Sequence, residues 1–234
     1  MTTAPWWEGP LVGFDLETTG PDPETARIVT ACVVRESPGQ RPTVATWLAD
    51  PGIDIPEGAT AVHGITTERA RQHGESAADV VAQLLAVLKA EQDPLVAFNG
   101  AYDFTVLDRE ARRYGYVPLA PAAVIDPYVL DKQADTYRRG KRTLGVTCEH
   151  YGIPLGEDAH DAAADALAAV RLARAIGRRE PHPPADAAVL HQGQIVWRRQ
   201  QQEHLADHFR SVGKPADDVD GAWPVRPVRE GVRA

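Results

Sequence analysis

The 234-residue chain has only two cysteines, Cys32 and Cys148, a single methionine, and no long apolar run. Two thiols make no disulfide framework, and neither sits at a metal-ligand spacing, so both are expected as buried free thiols in a reducing compartment. Spanning a bilayer takes about 20 consecutive apolar residues, and no stretch approaches that. The first ten residues carry Trp6 and Trp7 but neither a basic nor an apolar leader region. A cytoplasmic protein without a membrane anchor is therefore expected. Positive charge is short as well: 25 Lys and Arg stand against 33 Asp and Glu, a net charge of -8. Gripping duplex nucleic acid nonspecifically calls for a basic surplus, so a dedicated DNA-coating protein is disfavoured. An enzyme whose acidic site is neutralised by bound cations is not. Any basic binding surface must be local.

What is present is a globular balance, 43% hydrophobic and 25% charged residues, enough for a real core. Residues 10–17 alternate as a strand, with Val12, Phe14 and Leu16 on one face and Gly13, Asp15 and Glu17 on the other. Thr18 to Pro21 break it. Residues 27–35 and 43–48 read as two further strands, and the turn-rich segment between them favours an antiparallel pair. A loop with Pro56 and Gly58 leads to Val62-His63-Gly64-Ile65, after which Thr66 caps a short helix. Ser76 and Asp79 resemble a capping box ahead of an apolar helix. Short buried strands are expected at 95–98 and 123–126, the second stopped by Pro127. Helices are expected near 102–113, 143–151 and 161–176. Three strands in a row followed by alternation is an α/β pattern, a mixed sheet with helices packed on it. The break at 177–186 divides residues 1–178 from a C-terminal extension, 179–234. The extension holds a polar helix at about 187–211 and a Pro-containing tail that Trp223 is placed to pin.

The chemistry-bearing residues are carboxylates. Asp15 and Glu17 share one face of an otherwise apolar strand, where they repel each other and would take up protons unless a cation sat between them. Hard oxygen ligands of this kind suit Mg²⁺ or Mn²⁺. Asp103 falls in the first turn of a helix just after a buried strand. A helix-dipole partner explains it equally well, but the carboxyl ends of strands are also where α/β folds gather their sites. Asp161 can cap the helix that follows it. Asp165 lies about a turn further in, among Ala, Leu and Val, and His160 lies on the approach.

Together these residues resemble the DnaQ-like family of DEDDh 3′→5′ exonucleases. The resemblance rests on Phe14-Asp15-Leu16-Glu17-Thr18-Thr19-Gly20, on Asn99 followed by Asp103, and on His160 followed by Asp165. Val62-His63-Gly64-Ile65-Thr66 also resembles a family loop. It covers about residues 10–176. One departure is Phe98, where the family often has histidine.

The resemblance implies a ribonuclease H-like fold in which Asp15, Glu17, Asp103 and Asp165 hold two divalent ions, Mg²⁺ or Mn²⁺. It implies His160 as the general base, a task that suits an imidazole, and release of 5′-mononucleotides from a 3′ end. Leu16, Thr18, His63 and Asn99 would contact the terminal nucleotide. Phe14, Tyr102 and Phe104 are either base-stacking surfaces or core. Single-stranded DNA or a DNA 3′ end is the expected substrate, with RNA as the alternative, since no residue decides how a 2′ hydroxyl is treated. A DNA polymerase is the candidate protein partner. A non-catalytic nucleic-acid-binding module is the rival of another class.

Two further features each have a functional and a plain reading. His204 and His208 share a helix face at i, i+4 near Glu203, as a metal pair or as a solvated face. Arg138, Arg139, Lys141 and Arg142 form a basic cluster, either a guide for phosphates or a solvated loop.

Overall fold

The computed structural model describes residues 4–154, 162–179 and 181–228. Its centre is one mixed sheet built from β1 (Leu11–Thr18), β2 (Ile28–Glu36), β3 (Thr43–Asp50), β4 (Glu75–Ser76), β5 (Leu95–Val96) and β6 (Val124–Ile125), in the order β4-β3-β2-β1-β5-β6. β1, β2 and β3 form an antiparallel meander, while β5 joins β1, and β6 joins β5, in parallel. The helices are α1 (Glu57–His63), α2 (Thr67–His73), α3 (Ala77–Ala90), α4 (Ala101–Arg113), α5 (Pro127–Ala134), α6 (Leu144–His150), α7 (Ala162–Gly177) and α8 (Ala187–Ser211).

The alternation of β1 sorts its side chains between two layers. Val12, Phe14 and Leu16 pack with Val81, Leu84 and Leu88 of α3 and with Phe104 and Leu107 of α4. The opposite face receives α7, whose Ala166, Ala169, Val170 and Ala173 recur at helical spacing as a buried stripe of small residues. The approach is close. A Cβ on Gly13 would lie 2.7 Å from the Ala166 carbonyl oxygen and 2.9 Å from Val170 Cγ2.

Local signals set several boundaries. Thr66 Oγ1 accepts from the Arg69 N–H at the start of α2, and Ser76 Oγ accepts from the Asp79 N–H at the start of α3. Two helices lie where a loop and a strand stop were expected. Pro56 and Gly58 precede and enter α1 rather than forbid it, and Gly64 closes it in the left-handed region at φ 74°. Pro127 ends β6 but occupies the first turn of α5, where its missing N–H costs nothing. β5 and β6 are shorter than the apolar runs at 95–98 and 123–126.

The C-terminal extension lies on the same cores. Leu190 of α8 joins the α7 side, and Trp223 joins the α3–α4 side. At the N-terminus Trp6 and Trp7 form a single 3-10 turn packed against α7. Cys32 and Cys148 are buried and form no disulfide. Among the described residues no helix is long and apolar enough to cross a membrane.

Candidate active site

Asp15 and Glu17 stand at the end of β1, partly buried, opposite Cys32 and Thr30 of β2. Cys32 in turn packs on Ala162 and Ala166, so the first turn of α7, which carries Asp165, lies over the Asp15–Cys32 pair. Asp165 also acts from there on the Cys148 thiol, which burial first and this carboxylate second push up to about 11. The third segment arrives through a hydrogen bond. The Leu16 backbone N–H donates to Asp103 Oδ1 at 3.2 Å, which seats the first turn of α4 against β1 between its two acids.

Asp103 is 5% exposed. Burial raises its carboxyl above the ordinary range. Its own N–H and that of Leu16 oppose the shift, and the nearby charges of Asp126 and Glu17 reinforce it. A carboxyl held this way is a ready ligand for a cation, which would supply the missing opposite charge. Among the described residues no three His, Cys, Asp or Glu side chains stand close enough to hold an ion by themselves. The donor chemistry nonetheless fits hard divalent cations, since all four acids offer oxygen alone.

The residues around the acids are ordered by short-range bonds. Thr18 is buried; its Oγ1 donates to the Gly20 carbonyl oxygen at 3.0 Å and also contacts the Tyr102 hydroxyl. Tyr102 bonds Gly20 as well, and burial raises its phenol to about 12. Asn99 adopts φ 57°, a left-handed conformation that an asparagine tolerates. His63 closes the other side. Its Nδ1 accepts from the Ile65 N–H at 3.1 Å, while Nε2 is buried against the Thr18 backbone without a well-formed hydrogen bond. Burial lowers its pKa, so the ring is biased to neutrality. A groove of about 410 Å³ runs from Glu17 past His63 and Ala162 over Thr30, Thr46 and Leu48, with Arg69 at its rim. His160 and Asp161 lie outside the described residues.

Two of the three aromatic candidates for base stacking are core residues. Phe14 is 0% and Phe104 2% exposed, with ring centroids 5.4 Å apart, because both fall on the apolar faces of their elements. The basic cluster divides. Arg138 and Arg142 turn inward, each 2.5 Å from Oδ2 of the buried Asp131, whereas Arg139 and Lys141 remain exposed. His204 and His208 are exposed on α8. Sequence reading passed over Asp126, and only its place directly before Pro127 signalled a helix cap.

The mixed six-strand sheet with its three-strand meander is the fold of an exonuclease domain of the ribonuclease H-like class. A family model described as Exonuclease (RNase_T) matches residues 12–173, and the chain belongs to that family. No curated protein sequence matches the chain. Solved structures of exonuclease I are similar. One, described as suggesting how processivity is achieved, superposes with a TM-score of 0.65 at 21% identity over 85% of this chain and 45% of its own. The Escherichia coli enzyme bound to a dT13 oligonucleotide gives 0.63 at 20% identity, over 74% and 42%. An exonuclease I complex with SSB-Ct gives 0.63 at 18%, over 86% and 46%. The chain thus spans less than half the length of these proteins, and the likeness is one of fold.

Proposed function

We propose that the protein is a two-metal-ion 3′→5′ exonuclease that hydrolyses phosphodiester bonds from the 3′ end of DNA and releases 5′-mononucleotides. The observation that carries this reading is the bond from the Leu16 N–H to Asp103 Oδ1, which joins the second acidic segment to the first. Two divalent cations, when bound, supply an activated water and stabilise the departing oxygen. Asp15 would touch both ions, Glu17 and Asp165 the one on the attacking side, and Asp103 the one on the leaving side. His160 would take the proton of the attacking water. Water adds to phosphorus, the bond from phosphorus to the ribose 3′ oxygen breaks, and that oxygen ends as a hydroxyl.

The groove beside Glu17 is where the terminal nucleotide would lie. His63 lines it, and Leu16, Thr18 and Asn99 would contact the same nucleotide. DNA is favoured over RNA because exonuclease I, similar in fold, has been seen with a dT13 oligonucleotide. A polymerase partner has no comparable support.

The test is to incubate 5′-labelled and 3′-labelled single-stranded DNA, and RNA of the same sequence, with the protein and Mg²⁺ or Mn²⁺. Stepwise shortening of the 5′-labelled strand, prompt mononucleotide release from the 3′ label, and loss of both with EDTA or in Asp15→Ala are expected. Hydrolysis that survives EDTA would refute the two-ion mechanism. Faster loss of RNA would move the assignment to an exoribonuclease.

A further inference from the structure

The C-terminal tail reaches back to the helix that carries Asp103. Trp223 is buried, and its indole N–H donates to Asp126 Oδ2 at 3.2 Å. Asp126 is itself 1% exposed and fully engaged. Oδ1 accepts from the Asn99 N–H at 2.9 Å and the Tyr128 N–H at 3.0 Å, and Oδ2 also accepts from the Gly100 N–H at 3.1 Å. Gly100 is the N-cap of α4 and Asn99 is its left-handed entry. One carboxylate therefore fixes the turn that sets where α4 begins, and a tryptophan 97 residues away fixes that carboxylate.

The tail then follows α4. The Arg226 N–H donates to Thr105 Oγ1 at 3.0 Å, and Thr105 Oγ1 donates to the Ala101 carbonyl at 2.5 Å. Arg109 Nη2 donates to the carbonyl oxygens of Arg226 and Pro227 at 3.0 and 2.9 Å. The same guanidinium reaches Glu24, just beyond the first acidic motif, at 2.7 and 2.9 Å. Asp103 sits between these anchors, with Asn99 and Gly100 before it and Thr105 and Arg109 after it.

We propose that residues 223–227 are a strap that positions Asp103 for cation binding, with Trp223 as the positioning residue acting through Asp126. The inference rests on the exonuclease reading, because it assigns Asp103 to an ion. It places the work of the extension at the site itself. Buried polar atoms at Asp126 require every partner to hold their place, and loss of one donor loosens the rest. A shift of about 1 Å in a catalytic group can cost about a hundredfold in rate, so looser seating of α4 is enough to be measured.

The experiment uses the full chain with Trp223→Phe, which keeps an aromatic ring but removes the donor, with Thr105→Val, and with Asp103→Asn as reference. Folding is followed by far-ultraviolet circular dichroism, Mn²⁺ affinity by electron paramagnetic resonance, and turnover with a single-stranded oligonucleotide. Trp223→Phe is expected to stay folded at the assay temperature, to bind Mn²⁺ more weakly, and to lose about tenfold in kcat with KM for the oligonucleotide nearly unchanged. Thr105→Val should do the same to a smaller degree. If folded Trp223→Phe binds Mn²⁺ and turns over like the parent, the strap has no positioning role and the inference falls. If Trp223→Phe does not fold, Thr105→Val decides by the same criteria. If Asp103→Asn itself leaves Mn²⁺ binding and turnover intact, it is the exonuclease reading that fails.

Discussion

Leu16 and Asp103 are joined by a backbone N–H and a buried carboxylate oxygen 3.2 Å apart. The strand that holds Asp15 and Glu17 and the helix that holds Asp103 therefore share one fixed point. Asp103→Asn keeps an acceptor oxygen for that bond and removes the charge. The fold should survive, since the carboxyl is unfavourable when ionised in its buried place. Activity should fall by about a hundredfold or more, the usual loss when one electrostatic stabiliser of a transition state is removed. Mononucleotide release and a melting curve on the same sample check both halves.

Gly13→Ala tests the contact between β1 and α7. The new methyl would meet the Ala166 carbonyl at 2.7 Å, and a helix backbone does not yield as a flexible side chain does. A loss of about 1–3 kcal/mol is expected from overpacking, measurable by chemical denaturation. Because α7 carries Asp165, residual activity per folded molecule should fall too.

The divided basic cluster makes opposite predictions for neighbours in sequence. Arg142→Ala removes one of the two guanidinium partners of the buried Asp131 and should lower the melting temperature markedly. Arg139→Ala combined with Lys141→Ala should leave the melting temperature unchanged, as both side chains are exposed. If the pair guides the strand, KM for DNA should rise and its dependence on salt should flatten.

His191 gives a pH dependence. Its Nδ1 accepts from the Val124 N–H at 3.1 Å, and burial lowers its pKa from the ordinary 6.5. Below that value the unfolded chain takes up a proton that the folded chain refuses, so stability is full above the window and falls as pH drops through it. His63 shifts the same way. In His191→Gln the decrease in melting temperature between about pH 7.5 and about pH 5 should be shallower than in the parent.

The parts of the fold written in local periodicity were legible. The alternation from Val12 to Glu17, the caps at Thr66 and Ser76, and the small-residue stripe after Asp161 place β1, α2, α3 and α7 correctly. The helix at Glu57–His63 was not, because Pro56 and Gly58 are breakers in general but boundary residues here. Phe14 and Phe104 could be read as core or as stacking surface until burial decided. The Asp126 network was invisible for a plainer reason. Beyond the local cap on the Tyr128 N–H, its partners include groups 27, 68 and 97 residues away, and no local pattern encodes a bond of that span. His160, the proposed general base, is known from sequence alone.

The outer side of β6 has a consequence for association between molecules. Its outward groups are the Val124 N–H, the Val124 carbonyl and the Asp126 N–H, and each is bonded to His191 or Gln194 of α8. A side-chain ladder stands where a seventh strand would dock, so that margin of the sheet is closed to edge-to-edge pairing. At the opposite margin β4 pairs only with Ala49 and Asp50 of β3, and Val44 is 53% exposed. If two copies ever join through backbone hydrogen bonds, the first half of β3 is where they would do so.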